Sequence, residues 1–121
     1  MRRIVNKRLV VIESPLAGDV EKNLAYAKAC LLDSLRRHEA PFASHLLYAQ
    51  DGTLDDNDPE QRELGLEAGF AWGDVADVVA VYVDLGVSSG MQRGIKRAQQ
   101  LGQPVEYRRI LGGSDGAEKQ A

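Results

Sequence analysis

Three short segments of this chain carry residues whose types could do chemistry together. The first is Asp84-Leu85-Gly86-Val87-Ser88-Ser89-Gly90. A carboxylate at a strand end, followed by glycines and two serines that open a helix, can hold a ribose and a phosphate. The acid accepts from sugar hydroxyls, and backbone N–H groups at the helix start receive the anion. The same residues also suit a plainer role, with Ser88 or Ser89 capping the helix and Asp84 satisfying a loop; taken alone, the segment favours that role. Its glycines do not follow the G-x-G-x-x-G spacing of a dinucleotide site. The second segment is Glu13-Ser14-Pro15. Glu13 ends an apolar run, where an unpaired carboxylate would be costly, so it is either hydrogen-bonded or functional. Gly18 would let the backbone approach a ligand closely, and an ordinary strand-to-helix turn explains it equally well. The third is His45, a general acid, a base contact or simply a half-buried, hydrogen-bonded histidine. Met91, one turn into the helix after Ser88, is expected beside a ligand.

Other reactive types point nowhere. Asp51, Asp55, Asp56 and Asp58 lack the ligand spacing of a calcium loop, so solvation and helix capping account for them. Cys30 is the only cysteine, which excludes a disulfide framework and a cysteine metal cage. Neither a metal nor a cofactor is expected.

The elements that must position these residues alternate along the chain. Arg8–Glu13 reads as a strand buried on both faces. Asp19 stands as an N-cap for a helix of about 20 residues whose stripe is Val20, Leu24, Ala27, Leu31 and Leu35, closed by Arg36-Arg37-His38. After Pro41, Phe42–Tyr48 reads as a second strand running into a polar loop, Gln50–Asp58. Asp58-Pro59-Glu60 starts a second helix through about Trp72, in which Gly65 and Gly69 suggest close approach of another backbone. Asp77–Asp84 is the strongest strand signal and is expected at the centre. Met91, Ile95, Ala98 and Leu101 form the stripe of a third helix ended by Gly102, and Pro104–Ile110 is a last strand. Trp72 and Tyr82 are expected in the core or at a subunit interface. Alternating strands and helices predict an α/β fold, a three-layer Rossmann-like or flavodoxin-like domain with a four-stranded parallel sheet in the order 2-1-3-4. The crevice then lies between strands 1 and 3, where the order reverses.

With 121 residues there is room for one core, expected over residues 1–111, followed by a small polar tail, 112–121, expected to be disordered. The net charge of −3 and a pI near 5.3 argue against a nucleic-acid partner. No apolar stretch approaches the ~18 residues of a membrane span. The basic start, Met1-Arg2-Arg3 with Lys7-Arg8, is followed by only a short apolar run, so a cytoplasmic protein is expected rather than an exported one.

Many short motifs occur in one order: Ser14-Pro15, Asn23 with Tyr26-Ala27, Pro41-Phe42 before His45-Leu46-Leu47-Tyr48, Leu54-Asp55-Asp56, Asp58-Pro59-Glu60 with Arg62 and Gly65, the Asp84–Met91 segment, and Gly102–Arg108. Over roughly residues 8 to 110 this arrangement resembles a branch of small, uncharacterised and often phage-encoded proteins related to nucleoside 2-deoxyribosyltransferases. The resemblance implies a pocket for a nucleoside or nucleotide. Ser14, Pro15, Gly18, Ser88, Ser89 and Gly90 would bind an anion, Asp84 would meet sugar hydroxyls, His45 or Met91 would meet the base, and Gly86, Asn23 and Arg62 would line the site. In the enzymes of the superfamily a glutamate early in the last helix attacks the anomeric carbon; the matching position here is Gly94. Serine or glycine cannot replace such a nucleophile. The resemblance therefore implies a nucleotide- or nucleoside-binding protein without that covalent chemistry, one that sequesters or senses a nucleotide signal. An N-glycosidase or deoxyribosyltransferase using Asp84 or Glu13 is the alternative, and a ligand-free interaction protein a further one. Because superfamily members complete their pockets from a neighbouring subunit, a homo-oligomer is implied as well.

Overall fold

The computed structural model describes residues 3–111; the tail expected at 112–121 lies outside the described residues. The strands are β1 (Leu9–Glu13), β2 (Ala40–Phe42), β3 (Val78–Tyr82) and β4 (Val105–Arg108). The helices are α1 (Val20–Arg36), α2 (Ser44–Tyr48), α3 (Pro59–Asp74) and α4 (Ser89–Gln100). All strand pairs are parallel and the sheet order is β2-β1-β3-β4, as expected from the alternation of strands and helices.

β3 is buried at every position, which fits a central parallel strand covered on both faces. One face, through Val10, Ile12, Val78, Ala80 and Tyr82, packs with Tyr26 and Cys30 of α1. The other, through Val79 and Val81, packs with Met91 and Ala98 of α4. Three layers result.

The caps follow the residues written for them. Asp19 accepts from the Lys22 N–H, and Asp58 from the Glu60 N–H with Pro59 at the first helical position. α4 ends at Gly102, whose φ of 71° lets the Gly102 and Gln103 N–H groups return to Gln99 and Ala98. α1 ends in the same way on His38, at φ 65°, with His38 and Glu39 donating to Leu35 and Ser34.

Three local expectations are corrected. The buried stripe of α1 is Asn23, Tyr26, Ala27, Cys30 and Ser34, while Val20 and Leu35 are about half exposed. The helix turns polar atoms inward because each finds a partner there, and hydropathy spacing is blind to such partners. Residues 44–48 are the short helix α2 rather than strand; β2 stops at Phe42 so that the chain can turn Leu46 onto the core. Trp72 is half exposed instead of core, lying 5.4 Å from the Phe42 ring and donating to the Tyr48 hydroxyl.

The sheet is tied at its edges by a buried ion pair. Both Arg108 Nη atoms donate to Glu39, at 2.8 and 2.9 Å, and Glu39 also accepts from the Ser34 hydroxyl at 2.7 Å. Burial alone would raise the Glu39 pKa, but these donors hold it below the ordinary carboxylate range. The Tyr82 hydroxyl accepts from Arg108 and donates to Asp33, so strand β4, strand β3 and helix α1 share one network. Removing one member strands the other charge. Glu39→Ala should therefore lower the unfolding free energy by about 3 kcal/mol or more in urea titrations, whereas Arg93→Ala, which breaks the exposed Arg93–Glu63 pair, should cost no more than about 1 kcal/mol.

Candidate functional site

The crevice opens at the carboxyl end of β1, between the β1–α1 loop, α2, α3 and the first turns of α4. Its inner part encloses about 80 Å³. It adjoins an outer groove of about 520 Å³ between Leu16–Gly18 and the Ala49–Asn57 loop. The inner part takes only a fragment of a nucleoside-sized molecule; the remainder would lie in the groove.

Glu13 forms the floor. As the last residue of β1 it alternates with Ile12 and so projects from the sheet face that α3 and α4 cover. A Cβ placed on Gly94 would lie 2.6 Å from Glu13 Cδ and 3.1 Å from Oε1, and closer still to Oε2. The carboxyl group therefore fills the volume a side chain at position 94 would need. Desolvation pushes the Glu13 pKa up to about 8, with no hydrogen bond or neighbouring charge contributing. At neutral pH Glu13 is a carboxylic acid.

His45 reaches the crevice from α2. Its Nε2 lies 2.8 Å from the Ser14 carbonyl, which can only accept, so Nε2 carries the proton and Nδ1 holds a lone pair. Burial lowers the His45 pKa, opposed by the Ser14 bond, and the ring is neutral at neutral pH. Arg62 of α3 crosses to the start of α4, where one of its Nη atoms would be 3.6 Å from a Cβ on Gly90. Its nearest carboxylate is Asp56, at 4.0 Å. Ser88 caps α4 by accepting from the Met91 N–H at 3.2 Å. A guanidinium thus lies beside the positive end of a helix, and both favour an anion between them.

Of the expected site residues, Glu13, His45, Arg62, Ser88, Ser89, Gly90 and, within the wall, Met91 converge on this crevice. Others do not. Asp84 faces away: it accepts from the Tyr26 hydroxyl at 2.6 Å and from the Ile110 and Leu111 N–H groups, and these bonds hold its pKa low against the effect of burial. Its acceptors are spent on joining α1 to the chain after β4. Asn23 donates to the Leu16 and Ala17 carbonyls and so fixes the β1–α1 loop. Ser14 and Pro15 are buried behind that loop, with Ser14 contributing its carbonyl to His45. Gly18 borders only the outer groove, and Gly86 is exposed in the β3–α4 loop. Met91 is 1% exposed, its sulfur accepting from the Ser88 N–H, so it supports the wall rather than presenting a contact surface.

Asp56 and Phe70 line the crevice without having been singled out for it. Asp56 stood among four aspartates with nothing to separate it from them, and Phe70 sits in a helix of weak amphipathic pattern. The close approach expected at Gly65 and Gly69 is to side chains rather than backbone: a Cβ would lie a tight 3.3 Å from Leu54 Cδ1 at the first, while at the second it would sit 3.5 Å from Ser44 Cβ, an ordinary contact that does not require glycine. Among the described residues no group of three or more histidine, cysteine or acidic residues could hold a metal, and no helix is long and apolar enough to cross a membrane.

The unfolded chain deprotonates Glu13 near the ordinary carboxyl value of 4.5, and the folded protein only at about 8. Stability present at acid pH should therefore fall as pH rises between these values, by about 1.4 kcal/mol per pH unit. In urea titrations across pH 5–8, Glu13→Gln should remove that decline and exceed the wild type in stability at pH 8.

The fold is shared with solved structures at low sequence identity. A 2-deoxyribosyltransferase from Bacillus psychrosaccharolyticus superposes with a TM-score of 0.66 at 15% identity, covering 88% of this chain and 75% of that one. A conserved protein from Enterococcus faecalis V583 gives 0.61 at 17%, covering 94% and 70%. No curated protein sequence matches. The sheet order and layers described above are those of the deoxyribosyltransferase-like fold. A family model described as a domain of unknown function (DUF7768) matches residues 8–108, from the residue before β1 to the Arg108 that anchors the buried ion pair, and the chain belongs to that family.

Proposed function

We propose that the crevice binds a nucleoside or nucleotide and does not carry out covalent glycosyl transfer. The observation that carries this reading is the Glu13–Gly94 contact. Where the resemblance implies a nucleophilic glutamate on α4, this chain has glycine, and the carboxyl that fills the space is a neutral acid at neutral pH. A protonated carboxyl has no anionic oxygen with which to attack carbon. Asp84, the other acid considered for that role, spends its acceptors elsewhere.

The binding half of the reading draws on the fold shared with a 2-deoxyribosyltransferase and on the polar groups in the crevice. Arg62 and the first turn of α4 receive an anionic group, His45 offers an acceptor at Nδ1, and the outer groove holds the rest of the ligand. A protein of this kind sequesters or senses a nucleotide. Hydrolysis of an N-glycosidic bond is the second reading, favoured by the raised Glu13 pKa, since an acid poised near neutrality can protonate a leaving base.

Incubation with a panel of nucleosides and 5′-monophosphates, followed by mass spectrometry of free and heat-released small molecules, separates the two. Recovery of one compound intact supports binding; free base accumulating over many turnovers, and abolished by Glu13→Gln, supports hydrolysis instead. Arg62→Ala should weaken binding of a 5′-monophosphate about tenfold and leave the matching nucleoside nearly unaffected, as expected for loss of a charge-assisted hydrogen bond.

A further inference from the structure

A half-buried carboxyl normally has a partner, and the hydrogen bonds made by the groups around Glu13 go elsewhere. From α4, Arg97 donates to Asp74 of α3 at 2.9 and 3.1 Å and lies over the Phe70 ring at 5.4 Å. From α2, His45 gives its Nε2 proton to Ser14. At the mouth, Arg62 leans toward Asp56. Among the described residues no hydrogen bond offsets the desolvation of Glu13. Its carboxyl nevertheless borders the open crevice, so whatever enters is the group that can satisfy it.

Gly94 makes this placement possible. Any side chain at 94 would need the space the carboxyl holds, so β1 and α4 together leave room for one group there, and β1 supplies it. The oxygens of a neutral carboxylic acid include one O–H donor. A phosphate belongs at the other end of the crevice, beside Arg62, because a carboxyl offers it a single donor and, once ionised, repulsion.

We infer that Glu13 contacts the ligand directly, donating a hydrogen bond from its carboxylic acid to an uncharged acceptor, and that Gly94 is the socket that holds it in place. The inference rests on the crevice being a nucleoside or nucleotide site. It further defines the ligand as one whose buried end carries a base carbonyl, a ring nitrogen or a sugar oxygen and no negative charge.

Isothermal titration of the wild type, Glu13→Gln and Gly94→Ala tests this, with the ribo- and deoxyribonucleosides of the common bases and their 5′-monophosphates, at pH 7 and pH 9. The wild type should bind about tenfold more weakly at pH 9, because the donor is lost as Glu13 ionises. Glu13→Gln keeps an N–H donor of the same shape and should bind equally at both pH values. Gly94→Ala displaces the carboxyl and should weaken binding at pH 7 about tenfold, with circular dichroism confirming that the variant is folded. Equal wild-type affinity at the two pH values, or an undiminished fall in Glu13→Gln, overturns the role of Glu13 while leaving the site intact. Failure of every compound to bind at either pH overturns the site and the inference together.

Discussion

Two elements compete for one small volume at the base of the crevice, and much of the architecture follows from how that competition is resolved. Glu13 ends β1 on the sheet face that α3 and α4 must cover, so its carboxyl is forced between them. Glycine at position 94 lets the helix pass over it without displacing the carboxyl. That substitution costs α4 roughly 1 kcal/mol of helix propensity relative to alanine. The helix offsets the loss through Met91 and Ala98, both buried against the sheet, and through its Ser88 cap. The arrangement leaves a carboxyl without a partner among the described residues, a condition that costs stability and is characteristic of positions retained for a ligand or a reaction.

The remainder of the site is assembled from elements that the parallel sheet brings to one end. With the order β2-β1-β3-β4, the segments after β1, β2 and β3 all emerge at the carboxyl edge, beside the point where the strand order reverses. The β1–α1 loop is fixed by Asn23, and α2 is held to that loop by the His45–Ser14 bond. Asp84, at the end of β3, fastens the far side by accepting from Tyr26 and from the chain after β4. Carboxylates at two neighbouring strand ends thus have opposite fates. Asp84 is ionised and saturated with donors; Glu13 is protonated and has none. Their environments separate them, as their identities alone could not.

What could be read from the chain without its folded form is determined by interactions between residues near in sequence. Asp19, Asp58, Ser88 and Gly102 bound their helices because capping bonds close within a turn. The apolar run at Val78–Tyr82 announced the central strand, and the alternation of strands and helices imposed parallel pairing and right-handed crossovers, hence the sheet order. The approach of His45 and the Ser88–Gly90 turn to one crevice followed from that topology, whereas Arg62 was expected there only from the family resemblance.

Other features depended on partners distant in sequence, which no local pattern records. Tyr26 of α1 can turn its hydroxyl inward only because Asp84, 58 positions on, is there to accept from it. Glu39 and Arg108 are ordinary surface types until the sheet places them within 3 Å of each other, 69 positions apart. The sequence by itself determined the elements, their order and the end of the sheet at which function must lie, since these rest on local propensity and chain connectivity. Only the tertiary structure decided that Glu13 occupies the place of the side chain missing at 94, because that depends on two backbones packed in contact 81 residues apart.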